Sequence, residues 1–169
     1  MRRYRFYLYA LFVLLIQNSC NRDDDKDIDK TVVINEFMVV NYTSVADQDG
    51  EYDDWIELFN LTTDEIALSG YYLTDSKKNL TKWKFPEGTS ITGGGYLIVW
   101  ADDDTTQVGL HTNYKLSSEG ERVILLTPEL EIMDQVEYGS QSNELAYARV
   151  PNGTGRFVWQ TETFNNQND

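Results

Sequence analysis

Cysteine and histidine are nearly absent from this sequence, with one residue of each among 169. A single cysteine cannot form an internal disulfide, and a Cys/His zinc site needs several such ligands. Both kinds of covalent or metal reinforcement are therefore excluded. A domain of this length has to rely on a packed hydrophobic core.

Basic residues are scarce as well: 14 Lys and Arg stand against 28 Asp and Glu, a formal net charge of −14. Such a surface repels a phosphate backbone, so we expect no nucleic-acid partner. The hydrophobic fraction of 41% and the aromatic fraction of 13% are those of a folded chain. The many Tyr and Trp residues favour β-structure.

The apolar run near the N-terminus is too short to span a membrane. Phe6–Ile16 has eleven residues and follows three arginines, whereas a membrane-spanning helix needs about 20 apolar residues and a signal-peptide core roughly 7–15. The run ends at Ser19-Cys20, and a small residue before cysteine at this place resembles the lipobox of bacterial lipoproteins. We therefore predict a signal peptide over residues 1–19 and lipidation at Cys20. Uptake of labelled palmitate would reveal that lipidation.

Residues 20–31 form a short charged stretch behind the lipidation site. Such a stretch cannot bury itself, and we expect a disordered acidic tether. The run Asp23, Asp24 and Asp25 resembles the signal that moves some Gram-negative lipoproteins to the outer face of the outer membrane; a plain spacer is the alternative. Removal of residues 1–19 takes away three arginines and no acid, leaving 28 acids against 11 bases, a formal −17.

From residue 32 onward, short apolar or alternating runs are separated by glycine-containing turns, a pattern typical of an all-β sandwich. We predict about nine short strands, within residues 32–160, and a polar C-terminal tail over residues 161–169. The predicted strands are Val32–Asn41, Trp55–Asn60, Tyr71–Asp75, Lys82–Phe85, Tyr96–Ala101, Arg122–Thr127, Glu131–Tyr138, Tyr147–Val150 and Phe157–Gln160. The predicted core includes Ile56, Leu58, Leu73, Ile98, Val123 and Leu125.

Several motifs occur in an order that resembles the lamin-tail domain. They are Ile34-Asn-Glu-Phe37, Asp54-Trp-Ile-Glu-Leu-Phe-Asn60, Leu68-Ser-Gly-Tyr-Tyr-Leu-Thr-Asp75, Lys82-Trp-Lys-Phe-Pro86 and Leu116-Ser-Ser-Glu-Gly120. The resemblance covers residues 32–160 and implies an immunoglobulin-like β-sandwich. It also implies an interaction module that shares no catalytic residues with its relatives.

Two acidic loops are candidate calcium sites, because calcium takes 6–8 oxygen ligands. The first contains Asp47, Asp49 and Asp53, and the second contains Asp102, Asp103 and Asp104. The alternative is that both are ordinary solvated loops. Calcium is the only cofactor that the sequence suggests.

Two further features are weighed as functional. The lone His111 lacks a nucleophile-elbow pattern, so a surface loop histidine is favoured over a catalytic one. Lys82-Trp83-Lys84 is the one basic-aromatic spot in an acidic chain, and Trp83 is either a ligand contact or a core residue. Trp55 and Trp100 are expected in the core.

The sequence thus favours a non-catalytic binding or scaffolding module, anchored in the outer membrane and presenting its domain to protein or glycan partners. An envelope hydrolase, glycosidase-like or nuclease-like, is one alternative; it would need two carboxylates about 5–10 Å apart in a cleft. A self-assembling structural envelope protein is another. The oligomeric state is left open.

Overall fold

A computed structural model of the protein describes residues 29–168, which form eleven strands and no helix. Cys20 and the Asp23–Asp25 run lie outside these residues. The strands are β1 (Val32–Met38), β2 (Trp55–Asn60), β3 (Ile66–Ala67), β4 (Tyr72–Thr74), β5 (Trp83–Lys84), β6 (Ser90–Ile91), β7 (Tyr96–Trp100), β8 (Gly120–Leu126), β9 (Ile132–Gly139), β10 (Ala146–Val150) and β11 (Arg156–Gln160). Over the described range, no helix has the length and apolar character that a membrane crossing requires.

The strands form an antiparallel sandwich, which confirms the predicted fold class. One sheet has the order β11-β10-β1-β2-β7, and the facing sheet has the order β5-β4-β8-β9. The pair β3-β6 forms a small third sheet. These last two strands have two residues each and are not among the nine that the sequence predicts.

The core lies between the two large sheets, and five of its six predicted members are fully buried: Ile56, Leu58, Leu73, Val123 and Leu125. Ile98 is the exception, because it is only partly buried. It lies opposite Glu57 on β2, whereas the core residue Leu58 lies opposite Leu97. Adjacent strand residues point to opposite faces, so Ile98 lies on the outer face of the five-stranded sheet.

A β-bulge in β1 decides which face receives Glu36. The pairing of β1 with β2 shifts between Ile34 and Glu36. Ile34 and Phe37 both belong to the core, so the extra residue, Asn35, interrupts the alternation. Without the bulge, Glu36 would follow Ile34 into the apolar core. With it, Glu36 lies on the outer face, opposite Glu57.

Residues 161–168, set apart in the sequence as a polar tail, pack against that outer face. The Phe164 ring lies 5.1 Å from the Trp55 ring and 5.8 Å from the Trp100 ring, centroid to centroid. Together with Met38 and Ala146, these tryptophans form a second buried apolar cluster. The folded unit therefore extends to residue 168.

Candidate functional site

A cleft of about 210 Å³ opens at one end of the sandwich. We call it the acidic cleft. It is lined by Val39, Val40, Asn41, Tyr42, Tyr52, Asp53, Asp54, Ala101, Lys115, Leu116 and Ser118. These residues come from the segments that follow β1 and β7 and from the loops that precede β2 and β8. Tyr42 is 72% exposed and Tyr52 is 47% exposed.

The loop that carries Tyr42 is fastened on two sides. The buried Asn41 amide donates to the carbonyl oxygens of Val45 (2.6 Å) and Asp53 (2.8 Å). The Glu144 carboxylate accepts the backbone N–H of Tyr42 and of Thr43, both at 2.6 Å. The Tyr42 ring is thus presented to solvent by a backbone that is already ordered.

Two consecutive carboxylates form the acidic wall of the cleft. Burial raises the pKa of Asp54 to about 7, against a hydrogen bond from the Leu116 backbone and the nearby Lys115 charge. Burial also raises the pKa of Asp53, and the charge of Asp102 raises it further. The Asp53 Oδ2 atom is buried and has no hydrogen-bond partner within residues 29–168. Near neutral pH, Asp54 can therefore act as a donor or as an acceptor.

His111 is not a surface residue, contrary to the prediction. It is 4% exposed, and its Nδ1 lies 2.5 Å from Oδ2 of Asp102, which is also buried. Its Nε2 lies 3.2 Å from the Val108 carbonyl oxygen. Each ring nitrogen lies near an oxygen atom of the same loop, and neither lies near a serine. The pair of Asp102 and His111 therefore closes the loop and lacks the geometry of a nucleophilic triad.

The two acidic loops predicted for calcium lie side by side. Gln107 donates to the Glu51 carboxylate across the gap at 3.0 Å. Asp47 accepts the backbone N–H groups of Asp49 and Glu51, and Asp104 accepts the N–H of Thr106. Across residues 29–168, no three His, Cys, Asp or Glu side chains are grouped as metal ligands. Calcium binding at Asp47, Asp49, Asp53, Asp102, Asp103 and Asp104 stays a prediction.

The Lys82-Trp83-Lys84 spot is not an aromatic contact surface. Trp83 is 7% exposed and packs edge-on against Phe85, with 4.7 Å between ring centroids. Lys82 Nζ bonds Asp75 at 2.5 Å and lies 4.5 Å from the Tyr114 ring centroid. Only Lys84 stays exposed. Trp83 points inward because its partner in the register, Leu73, is a core residue.

A second polar site lies on the outer face, and sequence reasoning missed it. Glu36 and Glu57 are both fully buried there. Burial raises the pKa of Glu57 to about 7 and also raises that of Glu36. Asn35 donates to Glu57 Oε1 at 2.8 Å, and residues 161–168 supply the other donors. Charged residues in the middle of otherwise apolar strands were the available signal.

The antiparallel sandwich with these motifs defines an immunoglobulin-like β-domain. The lamin tail domain family model matches residues 29–140, and the chain belongs to that family. This confirms the resemblance drawn from the motifs. Families of this kind are typically non-catalytic. A search of curated proteins found no match to the chain. Strands β10 and β11 and residues 161–168 lie beyond the matched range, yet β10 pairs directly with β1.

Proposed function

We propose that this chain is a non-catalytic binding module, anchored by lipid at Cys20 on the outer membrane and displayed to the cell exterior. The ligand that we assign to it is a neutral glycan bound in the acidic cleft. The lipobox resemblance supports the anchor, and Asp23, Asp24 and Asp25 support the display. The family supports a binding role in general.

The observation that carries the proposal is the exposure of Tyr42 and Tyr52 at the mouth of one cleft. A tyrosine ring has a flat apolar face and a polar hydroxyl at its edge. It therefore suits a ligand that has an apolar face and also polar groups in contact with water. A sugar ring has that character. The hydrogen bonds of Asn41 and Glu144 hold the Tyr42 loop in place, so little ordering cost is left for binding.

The polar groups of the cleft suit a ligand rich in hydroxyls. Asp53 and Asp54 can accept hydrogen bonds from hydroxyls, and Lys115 can donate to them. The same carboxylates repel anionic ligands, so we expect the cleft to bind neutral glycans more tightly than acidic ones. A protein partner with a lysine or arginine side chain in the cleft is the competing outcome.

The test is binding of the purified mature protein to a panel of neutral oligosaccharides, measured by calorimetry. Tyr42→Ala and Tyr52→Ala should each weaken binding at least about fivefold, because stacking of a nucleobase on one aromatic ring contributes about 1–3 kcal/mol and a sugar ring is taken as analogous. Trp159→Ala is the matched control, since Trp159 is 38% exposed but lies on β11, outside the cleft.

Three results would contradict the proposal. Binding lost in Trp159→Ala and kept in both tyrosine variants would move the site to β11. Binding of basic peptides alone would make the partner a protein. Absence of binding to every neutral glycan would remove the ligand assignment.

The hydrolase alternative makes a different prediction for the same cleft. Carboxylates near neutral pKa serve general acid–base catalysis, and Asp54 is such a group. Against this, the facing carboxyl groups of Glu36 and Glu57 lie beneath residues 161–168 and do not line the cleft. We expect no turnover of glycosidase, nuclease, esterase or protease substrates. Turnover abolished by Asp54→Asn would establish an enzyme.

A further inference from the structure

Residues 161–168 occupy the outer face of the five-stranded sheet without joining it. None of them belongs to a strand. Hydrogen bonds that involve side chains therefore hold them in place, and they take no part in the backbone hydrogen-bond ladder of the sheet. We call this stretch the covering segment. It lies beyond the part of the chain that the family model matches.

The covering segment is bound through the two buried glutamates. Thr163 donates its backbone N–H to Glu36 Oε1 at 2.9 Å, and its hydroxyl lies 2.6 Å from Glu36 Oε2. The backbone N–H of Asn165 donates to Glu57 Oε2 at 2.6 Å. The two carboxyl groups thus form a receptor for the backbone of a short turn, in which Asn165 has a φ of 56°.

Apolar and amide contacts flank these bonds. Phe164 packs edge-on against Trp55 and lies tilted over Trp100. At the far end, Asn168 is 1% exposed. Its side-chain amide lies 3.2 Å from the Asn35 carbonyl oxygen and 3.0 Å from the Arg149 carbonyl oxygen. The arrangement of a central aromatic anchor with polar contacts on each side is that of a peptide in a binding groove.

The segment can leave this face without breaking a sheet. Strand β11 ends at Gln160 and Thr161 is exposed. Asn165, Asn166 and Gln167 are also exposed. Release would cost the contacts of Thr163, Phe164, Asn165 and Asn168, while the β10–β11 ladder stays paired.

We propose that the outer face also accepts the covering segment of a second copy of this chain, so that two copies exchange residues 161–168 and form a dimer. The partner is specified by the contacts, because a second copy offers the same threonine, phenylalanine and asparagine to the same glutamates and tryptophans. Exchange of an identical element between copies creates a closed two-fold assembly at low cost. This inference is independent of what the acidic cleft binds.

Concentration decides between the closed monomer and the exchanged dimer. A short flexible connection gives the segment an effective concentration in the millimolar range at its own face. Wild-type protein at micromolar concentration should therefore be monomeric, and the dimer should appear as the concentration approaches millimolar. Chains crowded on a surface reach such local concentrations.

The docking site is tested with a peptide added to the full-length mature protein. Phe164→Ala weakens the segment in place and leaves its receptor intact. A fluorescent peptide of residues 160–169 should bind this variant and should bind wild type at least tenfold more weakly. The same peptide with alanine in place of Phe164 is the control and should not bind.

The exchange is tested by mixing two variants that are each unable to form a homodimer. Phe164→Ala has an intact face and a defective segment, and Trp100→Ala has a defective face and an intact segment. Analytical ultracentrifugation should show monomers for each alone and a heterodimer for the mixture. Glu36→Ala replaces Trp100→Ala if circular dichroism shows that the latter is unfolded, because it removes only the acceptor for Thr163.

Each measurement can overturn the proposal. Failure of the peptide to bind Phe164→Ala would mean that the face is not a separable docking site. Peptide binding without a heterodimer in the mixture would mean that the segment stays with its own chain. A wild-type dimer that persists in both single variants would place the interface elsewhere, with β11 as the sheet edge to examine.

Discussion

Glu36 and Glu57 lie opposite each other on β1 and β2, and both carboxyl groups are fully buried beneath residues 161–168. The bulge at Asn35 turns Glu36 to this face. The hydrogen bonds from Asn35, Thr163 and Asn165 compensate part of the loss of water. The compensation is incomplete, since the pKa of both groups stays above its ordinary value.

The first prediction is that acidification stabilises the domain. The pKa of Glu57 is raised from 4.5 to about 7 by burial, so the folded state holds this proton more tightly than the unfolded state does. Its contribution is fully present below pH 4.5 and is lost as the pH rises through 7. The free energy of unfolding should fall by about 3 kcal/mol from this site between pH 4.5 and 8.

Urea unfolding of wild type, Glu57→Gln and Glu137→Gln across that range separates this site from the others. Glu57→Gln should flatten the dependence. Glu137→Gln is the matched control, because the Glu137 side chain is 73% exposed on β9. A Glu57→Gln profile that parallels the wild type would show that another group is responsible.

The second prediction concerns the two faces of the five-stranded sheet. Leu58→Ala removes a fully buried core side chain and should lower the free energy of unfolding by about 2–5 kcal/mol. Ile98→Ala should cost about half as much or less, because Ile98 is only partly buried on the outer face. Equal losses in urea unfolding would mean that the strand phases of β2 and β7 are wrongly assigned.

The third prediction is that His111→Ala destabilises its loop, because the buried Asp102 carboxylate loses its side-chain partner and keeps only the backbone N–H of Asp104. Leaving a buried acceptor short of a hydrogen bond costs about 1–3 kcal/mol. The double variant Asp102→Asn with His111→Ala should recover part of the loss, since the carboxylate that lacks its partner is gone. Thermal unfolding of the four proteins completes the cycle. A loss below about 1 kcal/mol in His111→Ala would show that the pair is not essential for the loop.

The fourth prediction concerns the membrane anchor. Cys20→Ala should leave an unprocessed precursor that takes up no labelled palmitate. Replacing Asp23, Asp24 and Asp25 by alanine should keep the lipidated protein hidden from protease added to intact cells. Normal palmitate labelling of Cys20→Ala would end the anchor proposal, and equal protease sensitivity of the triple variant would leave the acidic run as a spacer.

The fifth prediction concerns calcium at the two acidic loops. A dication bound only to the folded state stabilises by RT ln(1 + [L]/Kd), about 2.7 kcal/mol at a hundredfold excess over Kd. We expect millimolar calcium to raise the melting temperature by several degrees and magnesium to raise it less. Sodium chloride at equal ionic strength is the control for simple screening. A shift of the same size with sodium chloride would show that screening accounts for the effect.

Much of the fold could be predicted because its signal is local. Alternating apolar residues and glycine turns indicated nine of the eleven strands, and five of six predicted core residues are buried. The two missed strands are two residues long. The loops of the acidic cleft were also singled out, through Asp53 and the acidic run around it. Asp47, Asp102 and Asp104 hold backbone groups or His111, and calcium binding at these loops stays a prediction.

The sequence by itself thus determined the all-β class, the strand phases of β2, β4 and β8, and the family, because period-two alternation and turn chemistry act between near neighbours. Only the tertiary structure decided where Glu36, His111, Trp83 and residues 161–168 lie and what they contact. Thr163 meets Glu36 across 127 positions of the chain, and a one-residue bulge changes which face a side chain occupies. Contacts of that kind depend on how distant strands are brought together, and no local pattern records them.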